Sequence, residues 1–97
     1  MFDQAKMLMK ARGVQNELKK TEIDAASRDD LVKVTVTGEL KLKSVTIAES
    51  MLEPNKKVEL ERLIQSTIAE AFQQAQQIAV EKTKEVMKDM GVNIPGL

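Results

Sequence analysis

One helical pattern in this chain is longer than a body of this size can cover. From about residue 54 to residue 90, apolar residues recur every three or four positions, the spacing that places side chains on one face of an α-helix. About 36 residues at 1.5 Å each give a rod of roughly 54 Å. A compact domain of about 100 residues has a radius of gyration near 13 Å. Several turns of this helix are therefore predicted to project from the body.

A short β unit precedes the long helix. In residues 31–38, Val32, Val34 and Val36 alternate with polar residues, which is the period of a half-buried strand. Residues 21–25 alternate more weakly and predict a first strand. Residues 40–47 predict a third, preceded by a turn at Gly38. Together these patterns predict a three-stranded sheet over about 21–48.

The third strand changes parity within its length. Leu40 and Leu42 share one face, whereas Val45 and Ile47 fall on the other. One additional residue in a strand shifts every later side chain to the opposite face. A β-bulge near Lys43-Ser44 would therefore restore a common inward face.

A shorter helical pattern opens the chain, from about residue 2 to residue 20. Its apolar seam has spacings of four, three and four, and consists of Met7, Ala11, Val14 and Leu18. Gly13 lies inside this helix and costs roughly 1 kcal/mol relative to Ala. The helix is therefore expected to need a partner surface.

The limits of the long helix are marked by local sequence. Ser50 and Glu53 have the spacing of a capping box, and Pro54 suits a first helical position. Gly91 is expected to end the helix, leaving a short tail at 91–97. These elements predict a single domain over residues 1–97.

Composition argues against several classes of function. The 97 residues include no His and no Cys, which removes the commonest general base, the thiol nucleophile and the usual zinc ligands. The four glycines are isolated, so no phosphate-binding loop is present. Asp29-Asp30 is interpreted as a solvated turn rather than a cation site. We expect no enzyme activity, catalytic residue, cofactor, metal or small-molecule substrate.

No run of apolar residues is long enough to span a membrane, and the N-terminus lacks the apolar stretch of a signal peptide. No membrane partner is therefore expected. The absence of Cys suits a reducing compartment. We expect a cytoplasmic protein.

Charge is balanced overall but unevenly placed. The chain has 15 basic and 15 acidic residues, yet residues 1–20 hold five basic residues against two acidic ones, a local charge of +3. Only 2% of residues are aromatic, which disfavours base stacking and favours contact with a duplex backbone. Glu81, Glu85 and Asp89 can pair with the late lysines. The candidate DNA-binding residues are Lys6, Lys10, Arg12, Lys20, Lys82, Lys84 and Lys88.

The projecting helix and the thin sheet both leave apolar surface uncovered. Two copies packed about a two-fold axis would cover that surface, so a homodimer is predicted. The alternative is a bent helix that folds back on its own sheet, with Gln73, Gln74, Gln76 and Gln77 as a wet face. The predicted dimer contacts are Val34, Val36, Leu63, Ile68, Phe72 and Ile78.

Four segments resemble the motifs of one known family in order and spacing. Residues 31–38 resemble its strand GLVKVTxNG, and residues 45–52 resemble its VxIDPSLL segment. Residues 63–75 resemble its long-helix L…AAFNxA stretch, and residues 94–97 resemble its Pro-Gly-apolar ending. On these residues the chain is similar to the YbaB/EbfC family of bacterial nucleoid-associated proteins. Asp30 stands where the family usually has Gly.

The resemblance implies an α+β fold, an α-β-β-β-α protomer with a three-stranded antiparallel sheet and a long C-terminal helix. It also implies an intertwined, tweezer-like homodimer whose projecting helices bind double-stranded DNA in the nucleoid and affect gene expression. Two other functions remain open. One is a dimeric protein-interaction adaptor with a Met-rich apolar groove around Met7, Met9, Met87 and Met90. The other is a structural dimer without a ligand.

Overall fold

The computed structural model describes residues 4–89 and residue 91, apart from the side chain of Met7. The predicted element order is confirmed, and the fold is α+β. In chain order the elements are α1 (Gln4–Lys20), β1 (Glu22–Ala26), β2 (Val32–Thr37), β3 (Leu42–Ile47) and α2 (Lys57–Asp89). The predicted helix start at residue 2, Met90 and most of the predicted tail, from residue 92, lie outside the described residues.

The strands form one antiparallel sheet in the order β1-β2-β3. Thr35 pairs with Ser44 and Val36 pairs with Leu42, so Lys43 is an additional residue in β3. The predicted bulge is therefore confirmed at the predicted place. It sets Leu42 on the same face of the sheet as Val45 and Ile47, because directly paired residues of antiparallel strands share a face.

The core lies between this sheet and α2. The inward valines of β2 are 0 to 1% exposed, and they pack with Ala71 and Ala75 of α2, which are fully buried. Alanine at these two positions lets the helix backbone approach the sheet closely. The core residues on the sheet are Ile23, Ala25, Val32, Val34 and Val36.

The chain is elongated, as the length of α2 requires. Its 33 helical residues run without a break from Lys57 to Asp89, which corresponds to about 50 Å. The described chain measures 63 × 26 × 16 Å, and its radius of gyration is 18.1 Å, well above the roughly 13 Å of a compact domain. The helix does not fold back, and its four central glutamines are exposed.

The last third of α2 pairs with α1 instead of the sheet. Ala11, Val14 and Leu18 of α1 line one groove with Val86 and Met87 of α2. Leu18, near the end of α1, lines a second groove with Ala79, and Glu17 bonds to Lys82, so the two helices run antiparallel. The predicted apolar seam of α1 thus has its partner surface within the same chain. We call α1 together with residues 79–89 the arm.

The sequence predicted the C-terminal end of α2 correctly, but the cap that it predicted before the helix is wrong. The capping box did not form: Ser50 lies inside a short 3-10 turn, Glu49–Met51, and no side chain caps that turn or the next one, Pro54–Lys56. Pro54 does occupy a first helical position, where its missing N–H is not needed. Gly91, with a φ of 77°, donates its N–H to the Lys88 carbonyl at 3.0 Å, as expected of a helix end.

The β1–β2 connection explains one departure from the family pattern. Asp29 and Asp30 both have a φ of 55°, in the left-handed region that favours glycine. Aspartate tolerates this conformation better than most residues. Asp30 therefore keeps the turn for which the family usually uses Gly.

Gly38 anchors the base of the arm to the sheet. Its N–H is shared between the carbonyl oxygens of Leu18 and Thr21, at 3.0 Å from each. A Cβ atom at this position would lie 2.8 Å from the Leu18 carbonyl oxygen and 2.9 Å from a methyl group of the same residue. Only glycine allows the end of α1 to approach the turn after β2 this closely.

Gly38→Ala should lower the free energy of unfolding by about 1–3 kcal/mol, because the methyl group overlaps backbone that cannot move aside easily. Gly13→Ala is the matched control: a Cβ there meets nothing within 4 Å. Because Gly13 lies in the middle of α1, replacing it with Ala should raise the free energy of unfolding by about 0.5–1 kcal/mol. Thermal unfolding of both variants measures the difference. Equal melting temperatures would show that Gly38 is not needed for this contact.

Candidate nucleic-acid interface

The fold collects all seven candidate basic residues on the arm. The candidates on α1 lie along its solvent-exposed sides, and those on α2 lie in its last third. All but two are exposed, Lys10 and Lys82 being intermediate. The arm therefore brings together two basic segments that are more than sixty residues apart in the chain.

This arrangement separates charge within a neutral protein. The arm holds eight basic residues and four acidic ones, a net charge of +4. Residues 21–78 hold seven basic and ten acidic residues, a net charge of −3. A field of one sign on a projecting element attracts a polyanion even where the whole molecule is neutral.

Lys84 and Lys88 form the best-placed pair on α2. Their spacing of four residues puts them on one side of the helix, and both are exposed. The sequence indicated that neighbouring acids could pair with them. Among the described residues, neither lysine has a carboxylate within 4.0 Å, so both ammonium groups are available to an external anion.

On α1, Lys6 and Lys10 are also four residues apart and share one side of the helix. Arg12 lies on a different side, and Lys20 lies in the last turn, where a cation also favours the negative end of the helix dipole. Lys19, which is not among the candidates indicated by the sequence, is exposed beside Lys20. The sequence signal that points to Lys19 is its position in the basic segment of residues 1–20.

Lys82 is the exception within the candidate set. Its ammonium donates a hydrogen bond to a Glu17 carboxylate oxygen at 2.5 Å, which joins the two helices of the arm. This bond, assisted by the charges of Glu17 and Glu85, raises the pKa of Lys82 above its ordinary value of 10.5, although partial burial opposes the shift. The ammonium is therefore charged and already paired within the chain.

A second surface of interest lies on β3. α2 lies over β1 and β2, and the inward side chains of β3 remain uncovered: Leu42 is 45% exposed and Val45 is 40% exposed. Ile47, on the same face, is half-buried. We call these three residues the β3 patch. β3 is also an edge strand, whose free backbone groups can pair with another strand.

The six predicted dimer contacts fall into two groups. Val34 and Val36 are 1% and 0% exposed within one chain, so they have almost no surface left for a partner. The other four, on α2, pack against the core but remain half-buried, and they are Leu63, Ile68, Phe72 and Ile78. The uncovered apolar surface beside the valines is the β3 patch, whose residues are not among the dimer contacts predicted from the sequence.

Within residues 4–89 and 91, none of the helices combines the length and the apolar character needed to cross a lipid bilayer.

Comparison with known proteins identifies the family. The model of the YbaB/EbfC DNA-binding family matches residues 1–90. The chain belongs to this family. YbaB/EbfC is described as a DNA-binding family and not as an enzyme family, in agreement with the resemblance seen in the sequence motifs.

Relatives of this YbaB/EbfC chain carry matching descriptions. It is 31% identical over 97 residues to a nucleoid-associated protein of Nitrobacter winogradskyi, which covers all of this chain and 91% of the relative. It is 30% identical over 103 residues to one of Francisella tularensis subsp. novicida, covering 97% and 91%. Its fold is similar to the crystal structure of an uncharacterized Helicobacter pylori protein, with a TM-score of 0.65 and 20% identity over 90% of this chain and 96% of that one.

Proposed function

We propose that this protein forms a homodimer that binds double-stranded DNA through its two projecting arms. We place it in the cytoplasm, at the nucleoid, where it organises DNA and affects gene expression. The observation that carries the proposal is the +4 arm of a protein with no net charge. Membership of a DNA-binding family and the names of its relatives support the same function.

The arm is suited to phosphate contacts. Seven basic side chains on it have no carboxylate within 4.0 Å among the described residues, and they are Lys6, Lys10, Arg12, Lys19, Lys20, Lys84 and Lys88. Lysine is a strongly hydrated point charge with a flexible stem, which binds phosphate without fixed geometry. Contacts of this kind position a protein on a duplex but do not read its sequence. We therefore expect binding with little preference among DNA sequences.

The dimer is supported by the β3 patch. Apolar side chains at an uncovered edge strand favour association with a second copy, and a two-fold axis makes the same patch meet itself. Two arms related by that axis could hold one duplex between them. The combined contacts of two arms would strengthen binding beyond that of either arm alone.

The proposal is tested by titrating the full chain against a random-sequence duplex at several salt concentrations, with sedimentation to fix the oligomeric state. We expect a dimer whose affinity falls steeply between about 50 mM and about 200 mM salt, with a slope of about 0.9 per phosphate contact. A second duplex of different sequence should bind equally. A chain that does not bind any duplex at low salt would contradict the proposal.

One observation favours a different partner. The groove between α1 and α2 is lined by apolar side chains, including Val14, Val86 and Met87, whereas Met9, which is 73% exposed, lies on the opposite side of α1. An apolar groove that includes a methionine side chain suits an apolar peptide, as in the protein-interaction adaptor. Partner binding that persists after nuclease treatment, in a protein that does not bind duplex, would favour the adaptor. A dimer that binds neither would be structural.

A further inference from the structure

The ion pair between Glu17 and Lys82 joins the two helices of the arm from positions 65 residues apart. The Glu17 side chain is 55% exposed, and the Lys82 side chain is 29% exposed. Among the basic candidates on the arm, Lys82 alone has a carboxylate within 4.0 Å in the described part of the chain. One basic side chain of the arm is therefore already paired with a carboxylate of the same chain, that of Glu17.

Glu17 is placed where it would meet a phosphate backbone. It follows Lys10 by seven residues, close to two turns of helix, so it continues the row of Lys6 and Lys10 along one side of α1. A polyanion that follows this row reaches the Glu17 carboxylate next. The row thus includes an acid whose partner cation lies on the other helix.

The groups around Lys82 on its own helix are also acidic. Glu85 and Asp89 follow Lys82 at spacings of three and seven, on the same side of α2. Glu85 adds to the attraction that keeps the Lys82 ammonium on the arm. Lys88 follows Glu85 by three residues, but neither Lys84 nor Lys88 has a carboxylate within 4.0 Å among the described residues.

We propose that Glu17 is an internal competitor for the DNA backbone: its carboxylate holds the Lys82 ammonium and keeps that cation from contacting a duplex phosphate. This inference rests on the proposed DNA binding and names a residue that sets its strength. Removing the Glu17 charge should free Lys82 without unfolding the arm, because both side chains reach solvent, where an ion pair contributes little net stability. Glu17 then lowers the affinity of the arm and reduces its salt dependence by one phosphate contact per subunit.

The test compares Glu17→Gln with Glu81→Gln in the full chain. Glutamine keeps the size of the side chain and an oxygen that accepts a hydrogen bond, but it loses the charge. Glu81 is next to Lys82, is exposed, and has no cation within 4.0 Å among the described residues, so its variant makes the same change in net charge. Affinity for a random-sequence duplex is measured by fluorescence anisotropy over a range of salt concentrations.

We expect Glu17→Gln to steepen the salt slope by about 0.9 per subunit and to raise affinity roughly tenfold or more at about 0.1 M salt. Glu81→Gln should raise affinity much less and leave the slope unchanged, because it frees no cation. Adding Lys82→Gln to Glu17→Gln should remove the gain. Melting curves of the variants should overlay that of the wild type, since both acids are exposed.

Equal slopes for Glu17→Gln and Glu81→Gln would overturn the inference while leaving the DNA-binding proposal intact, provided that the wild type binds. A gain that survives the added Lys82→Gln would also overturn it, because the effect would then not act through Lys82. If neither the wild type nor Glu17→Gln binds duplex at low salt, both proposals are wrong. Binding by Glu17→Gln alone would support the inference strongly.

Discussion

Replacing Lys84 and Lys88 with glutamate should lower the affinity for duplex DNA on the order of 10³-fold at about 0.1 M salt. The estimate assumes that each lysine makes one phosphate contact in each subunit of a dimer, so four contacts are lost. The salt slope should fall by about 3.6, at about 0.9 per contact. The same anisotropy titration measures both quantities. The effect is large because neither lysine has a carboxylate within 4.0 Å among the residues that the structure describes.

The control makes the same change in charge at the other end of α2. Lys57 and Arg62 are exposed and lie outside the arm. Lys57→Glu with Arg62→Glu should weaken binding only through the general field, which salt screens over about 10 Å. An equal loss in both double variants would show that net charge, and not the arm, determines binding.

Val45→Asp should convert the dimer into a monomer. Val45 is the central residue of the β3 patch. At an interface with a two-fold axis, each subunit contributes one copy of the substituted residue, so two carboxylates enter the apolar contact. Burying an unpaired carboxylate costs on the order of 3 kcal/mol or more, so the dimer dissociation constant should rise at least about 100-fold. Sedimentation at micromolar concentration measures the change. Because Val45 is 40% exposed in the single chain, the fold itself should survive.

Thr46→Asp provides the matched control. Thr46 is the next residue of β3, is exposed, and points to the opposite face of the sheet. This variant should remain a dimer with unchanged duplex binding. The Val45→Asp monomer should keep one arm and therefore about half of the wild-type salt slope. If Val45→Asp still sediments as a dimer, the interface does not include the β3 patch.

Together the two predictions separate the parts of the proposed function. The charge reversal on α2 alters the DNA contacts and should leave the dimer intact. The substitution on β3 alters the dimer and should leave each arm intact. If the salt slope of Val45→Asp is less than half of the wild-type value, the two arms act together on one duplex.

Local periodicity was sufficient for the elements of this fold. Alternation over two residues located β2, and the change of parity in β3 located the bulge at Lys43. The recurrence of apolar residues over more than thirty positions predicted α2 and its length, and Gly91 predicted its end. The capping box at Ser50 was wrong because the chain passes through two 3-10 turns before α2 begins. Short motifs depend on backbone geometry that their residues alone do not fix.

Amino-acid sequence by itself determined the order of elements, the excess length of α2 and the basic character of α1. The tertiary structure decided which of these surfaces meet. It placed Val34 and Val36 in the core of the single chain, left the inward side chains of β3 uncovered, joined two distant segments into an arm of net charge +4, and paired Glu17 with Lys82. Periodicity reports which face of an element is apolar, because that depends on neighbouring residues. Which distant face covers it, and which charges come together, depends on packing between segments far apart in the chain.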